Sequence, residues 1–296
     1  MRRRLDGVLL LDKPAGVGSN AVLQSVKRLY AAAKAGHAGT LDPLASGLLL
    51  VLFGEATKFS QLALDADKEY AAHACLGVTT TTGDADGKVL ERKPCSVRDE
   101  DIEPVLARFR GDSEQVPPMY SALKHAGRPL YALARAGREV PRAPRRIRVH
   151  VLQLLRFAED SVELRVRCSK GTYIRSLVED IGRALGCGAH VSALRRTASG
   201  AFCVVDAVTL EQLQSDTAEA RDARLLPLER LLGGLPRVDL PAALAERFAR
   251  GQALRIAQAP AGQCCVYGQQ GRLLGLGECR SPGELRPRRL VNHASG

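Results

Sequence analysis

Apolar and polar positions change period several times along the chain, and each change marks an element. Gly7 and the apolar residues 8–11 predict a short strand, and Asp12-Lys13-Pro14-Ala15-Gly16 behind it has the composition of a turn. Val22, Val26, Leu29 and Ala33 follow helical spacing, with Ser19 or Asn20 as N-cap and Gly36 as the stop. The continuous apolar run 48–53 predicts a buried strand. Farther on, Val162, Leu164, Val166 and Cys168 alternate with Glu163, Arg165 and Arg167, the pattern of a half-buried strand. After Gly171-Thr172 the period becomes helical through Ile174, Leu177, Val178, Ile181 and Leu185, and Gly186 ends it. Arg175 then falls in the first turn, where a cation opposes the helix dipole; it either points to water or gains from a carboxylate supplied by another part of the fold. Between 215 and 235 the pattern weakens. Beyond Pro236 the short apolar pieces 264–267 and 273–276 are separated by glycines, which predicts a small β domain with its boundary near 236.

Composition narrows the class. The chain has 296 residues and a net charge of +11, with 45% hydrophobic and 25% charged residues, which excludes disordered and collagen-like chains and suggests two domains. No apolar run exceeds the six residues 48–53, against the roughly 18 that a spanning helix needs. Arg2 to Arg4 ahead of an apolar run resembles the start of a signal peptide, but Asp6 and Asp12 interrupt it, so a cytoplasmic location is expected. The eight cysteines include no C-x-x-C pair and no histidine at finger spacing, and are read as small core residues with neither a disulfide framework nor structural zinc. The excess charge is local. Between 117 and 150, eight cations including Arg142, Arg145, Arg146 and Arg148 face a single Glu139, with Tyr120 and Tyr131 among them. Cations that neutralise phosphate, interleaved with stacking surfaces, are what a nucleic-acid binder needs; a solvated basic face is the plainer alternative.

The densest punctuation is Gly36-His37-Ala38-Gly39-Thr40-Leu41-Asp42-Pro43-Leu44-Ala45-Ser46-Gly47. Pro43 biases Asp42 toward extended backbone, and the flanking glycines allow tight turns, so one carboxylate projects from a loop. Asp-Pro taken alone is as readily a plain turn. Gly83-Asp84-Ala85-Asp86-Gly87 reads as a turn too, since its glycine is in the wrong register for a calcium loop and no glutamate closes it.

The segment 36–47, followed by Phe53-Gly54-Glu55-Ala56-Thr57-Lys58, resembles the catalytic motif of the TruB-type tRNA pseudouridine synthases. Asp12-Lys13-Pro14-Ala15-Gly16 is similar to the family's N-terminal motif, Asp67-Lys68-Glu69-Tyr70 to its tyrosine motif, and 168–177 with 186–196 to its remaining one. Pro287-Arg288-Arg289-Leu290-Val291 lies in a segment similar to the family's small C-terminal RNA-binding domain. Gly18 stands where the family commonly has Ser, and Ala38 where Thr is frequent.

The resemblance implies an α+β fold: a mixed, mainly antiparallel sheet with flanking helices, plus a small C-terminal PUA-like β-barrel. The catalytic domain would span 1–236, carry a tRNA-gripping insertion at 117–150, and be followed by the RNA-binding domain at 237–296. It implies isomerisation of uridine 55 in the tRNA T-loop to pseudouridine, without metal or other cofactor. The basic insertion favours a stand-alone enzyme that grips tRNA itself with no obligate protein partner; no membrane is expected, and a monomer is the default because nothing in the sequence suggests an interface. Asp42 would act on the ribose, as nucleophile or by removing a neighbouring proton. Arg175 would keep it charged and Tyr173 would serve near C5. His37 would hold the rearranged RNA loop, Tyr70 would stack on the everted uracil and Leu194 would pack on its other side, or in the core. Lys13 belongs with the substrate-side residues chiefly as a support for the catalytic loop, and Arg142, Arg145 and Arg146 would grip the tRNA. An RNA chaperone or binding module and a guide-RNA-dependent rRNA-modifying relative are the alternatives. A base-removing glycosylase is more distant.

Overall fold

The computed structural model describes residues 2–257, 260–281 and 283–292, so Met1 and residues 293–296, the two ends of the predicted domains, lie outside the described residues. In chain order the elements that build the main sheet and its two principal helices are β1 (Gly7–Lys13), α1 (Ser19–Leu29), β2 (Ala35–Ala38), β3 (Ser46–Phe53), β4 (Lys68–Leu76), β5 (Gly111–Gln115), β6 (Arg145–Ala158), β7 (Ser161–Cys168), α2 (Ile174–Ala184), β8 (Ala189–Ser199), β9 (Phe202–Cys203) and β10 (Val208–Thr209). The sheet runs β10-β1-β3-β8-β4-β7-β6-β5, with β2 added to β3 and β9 to β8. Only β1/β10 and β3/β8 are parallel, which bears out the mixed, mainly antiparallel fold expected from the sequence.

The unbroken apolar run of β3 has a simple cause: both faces of this strand are covered. Leu49, Val51 and Phe53 pack under α1 through Val22, Val26 and Tyr30, while Leu48, Leu50 and Leu52 meet Leu231, Leu232 and residues of the C-terminal domain. The alternating strand β7 has one buried face, whose Leu164 and Val166 pack with Leu177, Val178 and Ile181 of α2.

Helix α1 departs from its predicted limits. Gly18 is the N-cap, Ser19 is already helical, and the helix ends at Leu29 instead of running to Gly36. Ala31 adopts φ +48°, its N–H donates to Arg28 O and that of Ala32 to Lys27 O, a left-handed stop made without glycine. Gly36 and His37 consequently lie in β2. The segment 117–150 is also revised: Arg145 to His150 open β6 and pair in part with β5, so the part that stands off the sheet ends before Arg145.

The C-terminal domain consists of β11 (Arg237–Asp239), α3 (Ala242–Ala249), β12 (Leu254–Arg255), β13 (Gly262–Tyr267), β14 (Leu273–Ser281) and β15 (Glu284–Leu290), ordered β11-β13-β14-β15-β12 in a curled five-stranded sheet consistent with a PUA-like domain. Phe248, Cys264, Val266 and Leu285 form its core. Lys58 Nζ donates to Leu290 O at 3.1 Å and Asn292 N to Glu55 Oε2 at 2.6 Å, tying it to the catalytic part. Among the described residues no helix is long and apolar enough to cross a membrane.

Candidate active site

Strand β3 carries β1 on one edge and, on the other, β2 along residues 50–53 but β8 along residues 46–47. The sheet therefore opens between β2 and β8, and the 39–45 loop emerges at that opening with Asp42 on it. Gly47 makes the close passage possible: at φ +100°, a Cβ there would sit 2.3 Å from Arg196 O in β8.

The loop is held from three sides. Ser19 Oγ donates to Leu41 O and accepts from Leu41 N, both at 2.8 Å, so the residue expected as a helix cap is instead a clamp on the loop. Gly16 N donates to Pro43 O at 2.7 Å. Lys13, fully buried, donates to Pro14 O (2.7 Å), Val17 O (2.6 Å) and Pro43 O (3.5 Å), and so lies beneath the loop and not among the residues that line the cavity above it. Arg196, also buried, joins the loop's two ends through Nε to Leu48 O (2.7 Å) and Nη2 to Gly39 O (3.0 Å).

Asp42, Tyr70, Tyr173, Arg175 and Leu194, five residues singled out in the sequence, line one cavity of about 570 Å³, a volume suited to a small organic group. Tyr173 precedes α2 and Arg175 is its second residue. Of the two readings open for Arg175, the carboxylate partner is the one realised, and it is Asp42: Arg175 Nε is 2.9 Å from Asp42 Oδ2, with Arg175 only 4% exposed and Asp42 39%. The guanidinium is fixed further by Nη1 to Thr82 O (2.7 Å) and Nη2 to Tyr120 O (2.6 Å). Asp42 thus meets an immobile cation while keeping surface toward the cavity. Tyr70 is the register partner of Arg196 across β4 and β8, and Leu194 follows the same face two residues earlier.

One residue read as a plain turn belongs to the site. Asp84 does sit in a turn, but it is 5% exposed and its Oδ2 is 3.6 Å from Arg175 Nε. Two carboxylates therefore share one arginine. Burial pushes the Asp42 pKa above the ordinary carboxylate value, Arg175 opposes this and Asp84 adds to it. Burial likewise raises the Tyr70 and Tyr173 phenols, against Arg196 for the first and against Ser121, Arg145 and Arg175 for the second.

The other expected residues lie elsewhere. His37 is on β2 outside the cavity lining, its buried Nδ1 without a hydrogen-bond partner and its pKa lowered by burial and by Arg196. Arg142 is turned inward, donating to Pro117 O and to Glu139, each at 3.0 Å. Arg145 and Arg146 are exposed at the start of β6, and the Arg145 charge is felt at Tyr173. Gln115, Ser121, Lys68 and Arg196 were not singled out from sequence. Of these Arg196 had a signal, since period-two alternation puts it on the face of Leu194. Lys68 lies in the segment similar to the tyrosine motif and is held by the nearby carbonyls of Ala63, Leu64 and Ala66, whereas Gln115 and Ser121 join the site only through tertiary contacts.

Two buried amines have a measurable consequence. Lys13 and Lys68 are lowered to about 8, chiefly by burial, from 10.5. Between these values the unfolded chain binds more protons than the folded one, so stability rises with pH from about 8. The rise levels off near 9, where unfolded thiols ionise while Cys168 and Cys265, pushed up to about 11 by burial, do not. A thermal melt series is expected to show this climb, and Lys68→Met to roughly halve its slope; a Tm that falls from pH 8 to 9 contradicts it.

Residues 27–174 match the model of the TruB family pseudouridylate synthase N-terminal domain, 175–233 that of the tRNA pseudouridylate synthase B C-terminal domain, and 236–291 that of the pseudouridine synthase II TruB C-terminal domain. The chain is 55% identical over 295 residues to tRNA pseudouridine synthase B of Azoarcus sp. (strain BH72), covering 100% of this chain and 98% of that one. It is 54% identical over 291 residues to the protein of the same name from Aromatoleum aromaticum, covering 98% and 94%. Among solved structures it is similar to one chain of a Cbf5-Nop10-Gar1 complex, with TM-score 0.72, 30% identity, and coverage of 94% of this chain and 79% of that one. A second neighbour is a chain of an H/ACA RNP bound to a substrate RNA containing 2'-deoxyuridine, with TM-score 0.72, 27% identity, and coverage of 98% and 86%.

Proposed function

The chain belongs to the TruB family of pseudouridylate synthases, and on that footing we propose that it isomerises uridine 55 of the tRNA T-loop to pseudouridine, with Asp42 as the catalytic carboxylate. The observation that carries this reading is the Asp42–Arg175 pair, at 2.9 Å, lining the same cavity as Tyr70, Tyr173 and Leu194. A base in a folded loop must leave its stack to reach such a cavity, at a cost of a few kcal/mol. Tyr70 and Leu194 offer it an aromatic and an aliphatic surface, and Arg175 holds Asp42 oriented for the ribose.

The glycosidic bond from N1 to C1′ breaks, the uracil turns within the cavity, and C5 bonds to C1′. Tyr173 stands at the C5 side and relays the proton that C5 loses. No group beyond these side chains enters the scheme. Identity of 54–55% to proteins named tRNA pseudouridine synthase B, against 27–30% to chains of a Cbf5-Nop10-Gar1 complex and of an H/ACA RNP, favours a stand-alone tRNA enzyme; a monomer acting in the cytoplasm is part of the same proposal. Incubating an unmodified tRNA transcript with the protein and mapping pseudouridine by mass spectrometry after nuclease digestion tests the target: a single new pseudouridine at 55 is expected, and modification elsewhere alone would refute it.

Arg145 and Arg146, exposed at the start of β6, are assigned to tRNA phosphates, whereas Arg142 shapes the insertion from inside. Replacing Arg145 and Arg146 by Gln is expected to reduce the salt-dependence slope of tRNA binding by about two, roughly one per lost contact. Arg142→Gln should leave that slope nearly unchanged. Equal slopes for all three proteins would sink the assignment.

A further inference from the structure

The segment 115–121 reaches the site at three points. Gln115 grips the main chain of Tyr173 twice, donating from Nε2 to its carbonyl at 3.0 Å and accepting at Oε1 from its N–H at 2.7 Å. Tyr120 O holds Arg175 at 2.6 Å. The third point is Ser121, which lines the cavity and is 5% exposed. Its backbone is pinned, since its N–H donates to Met119 O and its carbonyl accepts from Tyr131 N, both at 3.0 Å. Its hydroxyl is not: Ser121 Oγ is buried with no partner in hydrogen-bond geometry. A buried hydroxyl left unpaired is uncommon and costly, and calls for a role. Tyr173 lines the same cavity and its main chain is held by Gln115 of the same segment; Ser121 opposes the rise that burial causes in the Tyr173 pKa.

We propose that Ser121 is a positioning residue for Tyr173, donating a hydrogen bond to the phenolic oxygen during the reaction and so aiming that oxygen at uracil C5. This rests on the reading in which Tyr173 relays the C5 proton. In that step the C5–H bond breaks and its electron pair becomes the C5=C6 double bond, the former C6=N1 pair moves to N1, which takes a proton from solvent, and the C5 proton arrives on the phenolic oxygen as the phenol's own proton leaves to solvent. Ser121 donates throughout and neither gains nor loses a proton.

The test measures C5-tritium release under single-turnover conditions, together with tRNA affinity, for Ser121→Ala, Ser121→Thr, Tyr173→Phe and the Ser121→Ala/Tyr173→Phe pair. Ser121→Ala is expected to slow release about tenfold, the scale of one hydrogen bond, with affinity and Tm unchanged. Ser121→Thr should recover the rate to within about threefold, and Ser121→Ala should cost nothing further in the Tyr173→Phe background. An additive double variant, a loss in affinity alone, or a wild-type rate for Ser121→Ala overturns the proposal; the first two would mark a contact with the base. A wild-type rate for Tyr173→Phe beside a slow Ser121→Ala would instead remove Tyr173 from the mechanism, and the proposal with it.

Discussion

Asp42→Asn is expected to lower the rate of pseudouridine formation by at least about 10³-fold while the protein stays folded and still binds tRNA. The amide keeps the shape of the carboxylate, and its oxygen can still accept from Arg175 Nε, which sits 2.9 Å from Asp42 Oδ2 in the native chain. What it loses is the charge and basicity that either route at the ribose requires. Stability should not fall, and the sign follows from the pKa. Burial raises Asp42 above its ordinary value, so the folded protein binds that proton more readily than the unfolded one. The ionised carboxylate therefore costs stability at neutral pH, and protonation on the way down through the folded pKa relieves that cost. Activity has the opposite dependence. It needs the ionised form and disappears as pH falls through the raised pKa, so the acid limb of the single-turnover rate should lie above the pKa of a free aspartate. A limb at or below that value would mean that Arg175 outweighs burial.

Arg175 is expected to be the second most sensitive position, in two ways that separate by substitution. Arg175→Met leaves Asp42 and Asp84, which share this guanidinium, without a cation, and should destabilise the fold by about 3–5 kcal/mol. Arg175→Lys keeps the charge but has one nitrogen for four partners: Asp42, Asp84, Thr82 O and Tyr120 O. That variant should fold, lose about 10²-fold or more in rate with KM little changed, and shift the acid limb to higher pH because Asp42 is less well compensated. A near-native rate for Arg175→Lys would show that charge alone, and not the fixed fork, is what Asp42 requires.

The parts of the fold legible in the sequence were those carried by local period. Helix α2 and strands β3 and β7 are legible directly, and a carboxylate partner for Arg175 is one of the two readings that its place in the first turn of a helix allows. Helix α1 was read too long because Ala31 takes the left-handed conformation that glycine usually marks, leaving Gly36 free to enter β2. Ser19 and Asn20 both fit a cap by position, but the N-cap is Gly18 and the Ser19 hydroxyl is engaged by Leu41, 22 residues away. Asp84 gave the local signal of a turn and is one; its closeness to Arg175 arises only when the 78–92 ribbon folds beside α2. Gln115 is of the same kind, reaching Tyr173 across more than 50 residues of sequence, and Ser121 joins Tyr173 in the cavity wall only in the folded chain. The motif thus located the reacting groups, while the residues that aim and restrain them came from tertiary register.

The most direct test of the account is tritium release from an unmodified tRNA transcript labelled at uridine C5, comparing the native protein, Asp42→Asn, and the native protein on a transcript carrying cytidine at position 55. The account predicts release by the native protein on uridine 55 alone, with the other two at background. Undiminished release by Asp42→Asn would contradict the role of the carboxylate, and undiminished release from the cytidine-55 transcript would contradict the target.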